Sequence, residues 1–194
     1  KMRVFAKGSP LHYIQAGSKI HPLIQLLAYV IPVICYVICP SDALYTFFHR
    51  NAQTQLIIFS LLVHLPVFLS DKLCYVDIGW PTGLTSIAIN CYLVARGWPP
   101  RRNLVCLCTL LHGGRMALGA IILFGNASHW TYRFETEPLP RYRYAKRRWV
   151  VDDGMPERHW WIKAQHDAGM QGFANLTFLA LPCALASVNP REGW

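Results

Sequence analysis

Apolar residues in this chain gather into five blocks separated by shorter polar stretches. The blocks are Pro22–Cys39, Gln55–Leu69, Leu73–Val94, Leu104–Phe124 and Phe173–Val188. A helix needs about 20 residues to cross the hydrocarbon core, within a range of roughly 17–25. The first, third and fourth blocks have that length; the second and fifth need flanking residues or tilt. None carries the polar face that a water-exposed helix requires. The pattern predicts an all-α integral membrane helical bundle of about five transmembrane helices rather than the buried core of a soluble one. It divides the chain into a basic N-terminal flank (1–21), transmembrane helices 1–4 (22–124), a basic aromatic interfacial loop (125–172), and the fifth helix with its tail (173–194). Pro32, Pro66 and Pro182 fall inside blocks, where kinks are expected.

Composition strengthens this reading. Of 194 residues, 53% are hydrophobic and only 15% charged, against about 25% charged in ordinary soluble domains. The formal net charge of +9 suits either nucleic acid or anionic phospholipid, and its placement favours the lipid. Lys1, Arg3, Lys7 and Lys19 precede the first block with no acid among them, which fits a basic flank better than a signal peptide. Residues 125–172 interleave Arg141, Arg143, Lys146, Arg147 and Arg148 with Tyr142, Tyr144, Trp149, Trp160 and Trp161. Between two spans, such a mixture belongs at headgroup level. Arg143, Lys146, Arg147 and Arg148 are therefore the expected headgroup contacts, with membrane lipids, cardiolipin among them, as partners and no nucleic acid. Thirteen Lys and Arg fall on the side holding the N-terminus and the long loop, and five on the other. The positive-inside rule then turns that side toward the cytoplasm or mitochondrial matrix.

All seven cysteines sit in or at the margins of apolar blocks without C-x-x-C or zinc spacing, so buried thiols are expected and no metal site. Three ionisable residues inside the blocks stand out. Asp77 lies in YVDIGWPTGL, and His112 and Arg115 lie three apart in LLHGGRMALG. A charge at mid-membrane costs about 2.5–3.5 kcal/mol on insertion scales, so an Asp77–Arg115 pair is expected. Gly113 and Gly114 would let a neighbouring helix approach closely, and Gly119 would extend the groove. His64 is expected as a hydrogen-bonded core residue.

Three segments resemble the steroid 5-alpha-reductase-like membrane superfamily, especially its branch of unassigned function. YVDIGWPTGL is similar to the family's Asp-x-x-Trp segment, through Asp77 and Trp80. LLHGGRMALG is similar to its aromatic-Gly-x-Arg-Leu helix, through Arg115. PRYRYAKRRW is similar to its Arg-Tyr stretch, through Arg141 and Tyr142. The resemblance covers roughly residues 65–190. It implies an NADPH-dependent reductase of a sterol or other lipid carbon-carbon double bond, with Asp77, Trp80, Arg115, Arg141 and Tyr142 around the cofactor. The chain departs from the family in three places. His112 stands where Trp is usual, Pro138 and Leu139 replace an acidic pair, and no Arg-x-Pro-Asn-Tyr-type segment occurs before Trp194. The expectation is therefore a non-catalytic relative without a cofactor. It would be an accessory subunit of a larger membrane complex, with the mitochondrial inner membrane favoured over the endoplasmic reticulum and NADPH reduction as the alternative.

Overall fold

The computed structural model describes residues 41–124 and 139–188. The basic flank, the first apolar block at Pro22–Cys39 and residues 125–138 lie outside them. Among the described residues the chain is all-α, with six helices and short 3-10 and π turns.

Helix α1 runs over Asp42–Ser70, 29 residues or about 43 Å at 1.5 Å per residue. Ser41 starts it. Its backbone is extended, and its hydroxyl accepts the Leu44 N–H at 3.1 Å, satisfying one of the donors a helix start leaves open. Asp42 in the first turn complements the helix dipole. A π turn over Ser60–His64 precedes Pro66 and accommodates the ring that lacks an N–H. The helix stops at Asp71, in the left-handed region at φ 57°, where its N–H bonds to the Val67 carbonyl. The sequence pattern begins this span at Gln55. The structure begins it at Asp42 because Asn51 and Gln55, polar by any hydropathy scale, point into the bundle.

After a 3-10 turn at Leu73–Tyr75, α2 spans Val76–Val94. It touches α1 along its length and makes the most extensive helix contact of the fold with α3, Pro99–Phe124. The short helix α4, Pro140–Arg147, continues into a π turn over Arg148–Asp152. Gly154, at φ 68°, then turns the chain so that Met155 drops into the core; a left-handed backbone there favours glycine. Helix α5 spans Trp160–Leu176 and α6 spans Leu181–Val188. The pattern predicts one helix over Phe173–Val188. Instead the last span begins some thirteen residues earlier and is broken at Thr177, whose φ and ψ are −109° and −97°. Pro182 thus sits in the first turn of α6, where a missing N–H is tolerated.

Three described helices or helix pairs are long and apolar enough to cross a membrane: α1, Pro99–Ile122 of α3, and Glu157–Ser187 containing α5 and α6. The third block, α2, is not among them. It contacts α1, α3, α5 and α6, exposes Ile89, Tyr92 and Leu93 toward its end, and carries Asp77, Thr82, Thr85, Ser86 and Asn90.

The distribution of polarity is inverted relative to a water-soluble bundle. Leu56 is 70% exposed and Leu69 74%, with Ile57, Leu61, Leu65 and Phe68 beside them and Leu104, Leu107, Leu111 and Leu118 on α3. Asn51 and Asn175 are 0% exposed and Gln55 3%. A soluble protein exposes few large contiguous apolar patches and rarely buries amides while displaying leucines. A bilayer asks for this arrangement: lipid-facing apolar side chains, and polar groups bonded to one another between helices. The chain is an integral membrane helical bundle.

Two apolar clusters fill the remaining interior. One gathers Phe59, Val63, Val67, Tyr75, Trp160 and Ala164; the other gathers Phe47, Leu84, Ile87, Cys91, Cys106 and Cys183. Trp80 packs against both. Cys74, Cys91, Cys106, Cys108 and Cys183 are free thiols, all but Cys108 buried.

Candidate functional site

The end of the bundle where α1 stops and α2 and α5 begin holds most of its chemistry. Asp77 lies in the first turn of α2, where a carboxylate complements the helix dipole. Leu139 is extended before Pro140, as a residue preceding proline prefers, and this aims the start of α4 at Asp77. The Arg141 guanidinium ion-pairs with Asp77 Oδ1. The Tyr142 hydroxyl donates to the same oxygen at 2.9 Å, and the guanidinium stacks 4.9 Å from the Tyr142 ring centre. Asp77 Oδ2 is buried with no hydrogen-bond partner among the described residues. Burial, and then the Asp77 charge, push the Tyr142 phenol well above its ordinary pKa, so it stays a donor at physiological pH. Burial opposes the charge on Arg141, but the Asp77 bond and the neighbouring Tyr142 outweigh it and raise its pKa.

Asp77 therefore finds its counter-ion on α4, not on α3. The expected Asp77–Arg115 pair does not form. Arg115 and His112 are exposed, and Arg115 makes no ion pair among the described residues. The buried positions of α3 are Cys106, Gly113 and Ala120, seven apart. Arg115 comes two residues after Gly113, roughly 200° around a 3.6-residue helix, so it faces outward. Only Gly113 has the role expected of the glycine pair. A Cβ there would lie 2.8 Å from the Thr85 backbone nitrogen and 2.9 Å from Leu84 Cβ, whereas Gly114 and Gly119 have nothing within 4 Å among the described residues. Trp80 turns into the core. Its indole nitrogen is buried without a partner among the described residues, and its carbonyl accepts the Asn175 amide at 2.9 Å. Of the five residues aligned with a cofactor site, the structure brings together Asp77, Arg141 and Tyr142.

A double-mutant cycle separates the two pairings. Because Arg141 is 64% exposed and Asp77 20%, solvent screening limits the Asp77–Arg141 coupling to about 0.5–1 kcal/mol. Asp77→Asn and Arg115→Leu should be additive in chemical unfolding of the detergent-solubilised protein. Coupling of Asp77 to Arg115 instead of Arg141 would refute the arrangement.

Beside this trio is a cavity of about 270 Å³, lined in part by Arg141, Tyr142, Asp167, Met170 and Gln171. Asp167 is held by Lys163, one helical turn away, and by His166 Nδ1 at 3.2 Å. The Lys163 ammonium lies 4.7 Å over the Trp149 ring. His64 Nδ1 meets Gln165 Oε1 at 2.6 Å, and the Gln165 amide donates to the His64 carbonyl at 3.0 Å. The sequence reading expects a bonded His64 but overlooks Lys163, Gln165 and Asp167. The Lys163–Asp167 spacing of four was the available signal.

A larger cleft of about 530 Å³ opens on the other side of α4, among Lys72, Tyr142, Arg143, Lys146, Arg147 and Trp160, with Asp71 and Glu157 also at its wall. It contains three of the four expected headgroup residues. Arg148 is exposed and is not part of it. Deeper in the bundle, α1, α2 and α5 are tied by amides. Gln55 donates to the Gly83 carbonyl at 3.0 Å and to Asn51 and Ser86 at 3.1 Å; Asn175 donates to Gln55 Oε1 at 3.3 Å. Asn51 reaches the Asn175 carbonyl at 3.2 Å. No cluster of ligands able to hold a metal occurs among the described residues.

No protein-family model, curated protein sequence or solved structure matches this chain.

Proposed function

We propose that this chain is a non-catalytic, membrane-embedded subunit of a larger membrane assembly, derived from a steroid-reductase-like fold and in contact with lipid. The observation that carries the reading is the outward placement of Arg115. With the exposed His112 one turn before it, it lies among Leu111, Leu118 and Ile122 on a largely apolar exposed face, where facing acyl chains would cost several kcal/mol. A partner helix bearing a carboxylate or a row of carbonyls removes that penalty, and the space that the described residues leave beside Gly114 and Gly119 admits a close approach. The mitochondrial inner membrane, whose complexes hold many small basic subunits, is the compartment we propose.

Gentle solubilisation of native membranes followed by native electrophoresis tests this. The wild-type chain should migrate in a complex well above 22.1 kDa. Arg115→Leu should release it while leaving its own melting unchanged, and Arg115→Lys should retain most of the association. Migration of the wild-type chain alone would sink the reading.

One observation favours a second reading. Asp77, Arg141 and Tyr142, three of the residues aligned with a reductase site, meet beside the 270 Å³ cavity. An NADPH-dependent reductase of a lipid double bond would use that position. The volume falls below the roughly 300–1,000 Å³ of most small-molecule sites, so the described residues alone offer little room for a dinucleotide. Saturable micromolar NADPH binding by the purified protein would reverse the order of the two readings.

A further inference from the structure

The 530 Å³ cleft beside α4 has the volume of a ligand site and a definite depth in the membrane. Its floor is the turn where α1 ends, Ser70 to Lys72, and the residue where α5 begins, Trp160. The Trp160 indole donates to the Asp71 carbonyl at 2.9 Å, fastening those two ends together. Both adjoining segments are long and apolar enough to span the bilayer, so the cleft lies where spans leave the hydrocarbon, at headgroup level.

Its walls are of two kinds. Arg143 and Arg147 are one helical turn apart on α4, and Lys72 comes from the facing turn. Lys146 is at the wall but holds Glu157 at 3.0 Å. The cleft thus has four cations against two carboxylates, Asp71 and Glu157, one of them already paired. Val150, Val151 and Trp160 supply an apolar flank, on which Val151 is exposed. A free phosphate would need only the cations. The apolar flank and the depth call for an amphiphile.

We infer that this cleft is a binding site for the phosphodiester headgroup of an anionic phospholipid, with Arg143, Arg147 and Lys72 on the phosphate and the first acyl carbons along Val151 and Trp160. The site requires only that the chain sit in a bilayer and does not depend on a partner at the Arg115 face. Forked guanidinium donors match phosphate oxygens, and each cation near an anionic surface contributes about fivefold in affinity.

The test uses the full chain, delipidated in neutral detergent, with thermal melting followed while short-chain phosphatidylglycerol, short-chain phosphatidylcholine or inorganic phosphate is added. Phosphatidylglycerol should raise the midpoint saturably; the other two should not at equal concentration. Arg143→Gln with Arg147→Gln should weaken the phosphatidylglycerol effect about thirtyfold, at roughly fivefold per cation. Both side chains are exposed, so the melting of the lipid-free protein should not change. The corresponding double Lys variant should recover most of the affinity. Arg148→Gln, outside the cleft, should change it less than twofold. Equal stabilisation by phosphatidylcholine would overturn the inference, as would an equal effect of inorganic phosphate. A loss with Arg148→Gln as large as with the Arg143/Arg147 pair would also overturn it, since attraction would then be a property of the whole basic surface.

Discussion

Gly83→Ala should destabilise this protein by about 3 kcal/mol. Gly83 lies on α2 opposite both α1 and α5. A Cβ there would collide with the Asn175 amide nitrogen and with Gln55 Oε1. Those two groups are the hub of the amide network, and Gln55 also donates to the carbonyl of Gly83 itself. The methyl cannot be absorbed by rotating one flexible chain end, because both neighbours are buried and bonded. Overpacking alone costs roughly 1–3 kcal/mol, and each buried polar group left without a partner adds about 1–3. Intramembrane hydrogen bonds contribute less than their soluble counterparts, averaging about 0.6 kcal/mol, which sets the total in the lower part of the combined range. Unfolding in mixed micelles measures it. Replacing Asn175 with Leu in the Gly83→Ala background should make little further difference, because the network is already broken. Independent, additive losses would mean that Gly83 does not act through the amides.

Gly113→Ala should cost about 2 kcal/mol by separating α2 and α3, the most closely packed helices of the fold. The added carbon would meet the backbone nitrogen of Thr85 and the Cβ of Leu84 at 2.8 and 2.9 Å. Neither is a side-chain end that can swing away, so the helix axes themselves must part and lose contacts along their length. Gly114 provides the internal control. A Cβ there meets nothing within 4 Å among the described residues, and alanine is the better helix former by roughly 0.5–1 kcal/mol. Gly114→Ala should be neutral or stabilising in the isolated chain. The same change should weaken association with a partner helix seated on that face. Adjacent glycines with opposite responses would fix the rotation of α3 in the bundle.

That rotation is where the sequence stops being informative. The existence of apolar helices was legible, since Leu, Ile and Val in runs near 20 residues have few alternative explanations. The need of Asp77 for a partner was also legible from the energetics of a charge in an apolar run. The identity of the partner was not. Hydropathy gives the depth of a residue along a span but not the face it occupies. Arg115 lies mid-helix on the side of α3 turned away from α2. The small residues Cys106, Gly113 and Ala120 at intervals of seven marked the packed face and were the clue to its orientation. Arg141 belonged to a segment whose charges suggested lipid headgroups and, by resemblance, a cofactor rather than a tie to Asp77, although Pro140 before it predicts a helix start. The boundaries of α1 and α5 were missed for one shared reason. Asn51, Lys163 and Asp167 read as loop on a hydropathy scale, but each is satisfied by another polar group inside the bundle. The break at Thr177 left no trace in the apolar pattern.

The account rests on the bundle being turned inside out, with leucines toward lipid and amides toward one another. Collision rates of spin labels attached through non-cysteine side chains, one variant at a time in reconstituted bilayers, test this most directly. Labels at Leu61 of α1 and Leu107 of α3 should meet oxygen far more often than a water-soluble nickel chelate. A label at Arg143 should show the reverse. Equal access of the chelate to Leu61, Leu107 and Arg143 would place the exposed leucines in water and contradict the account.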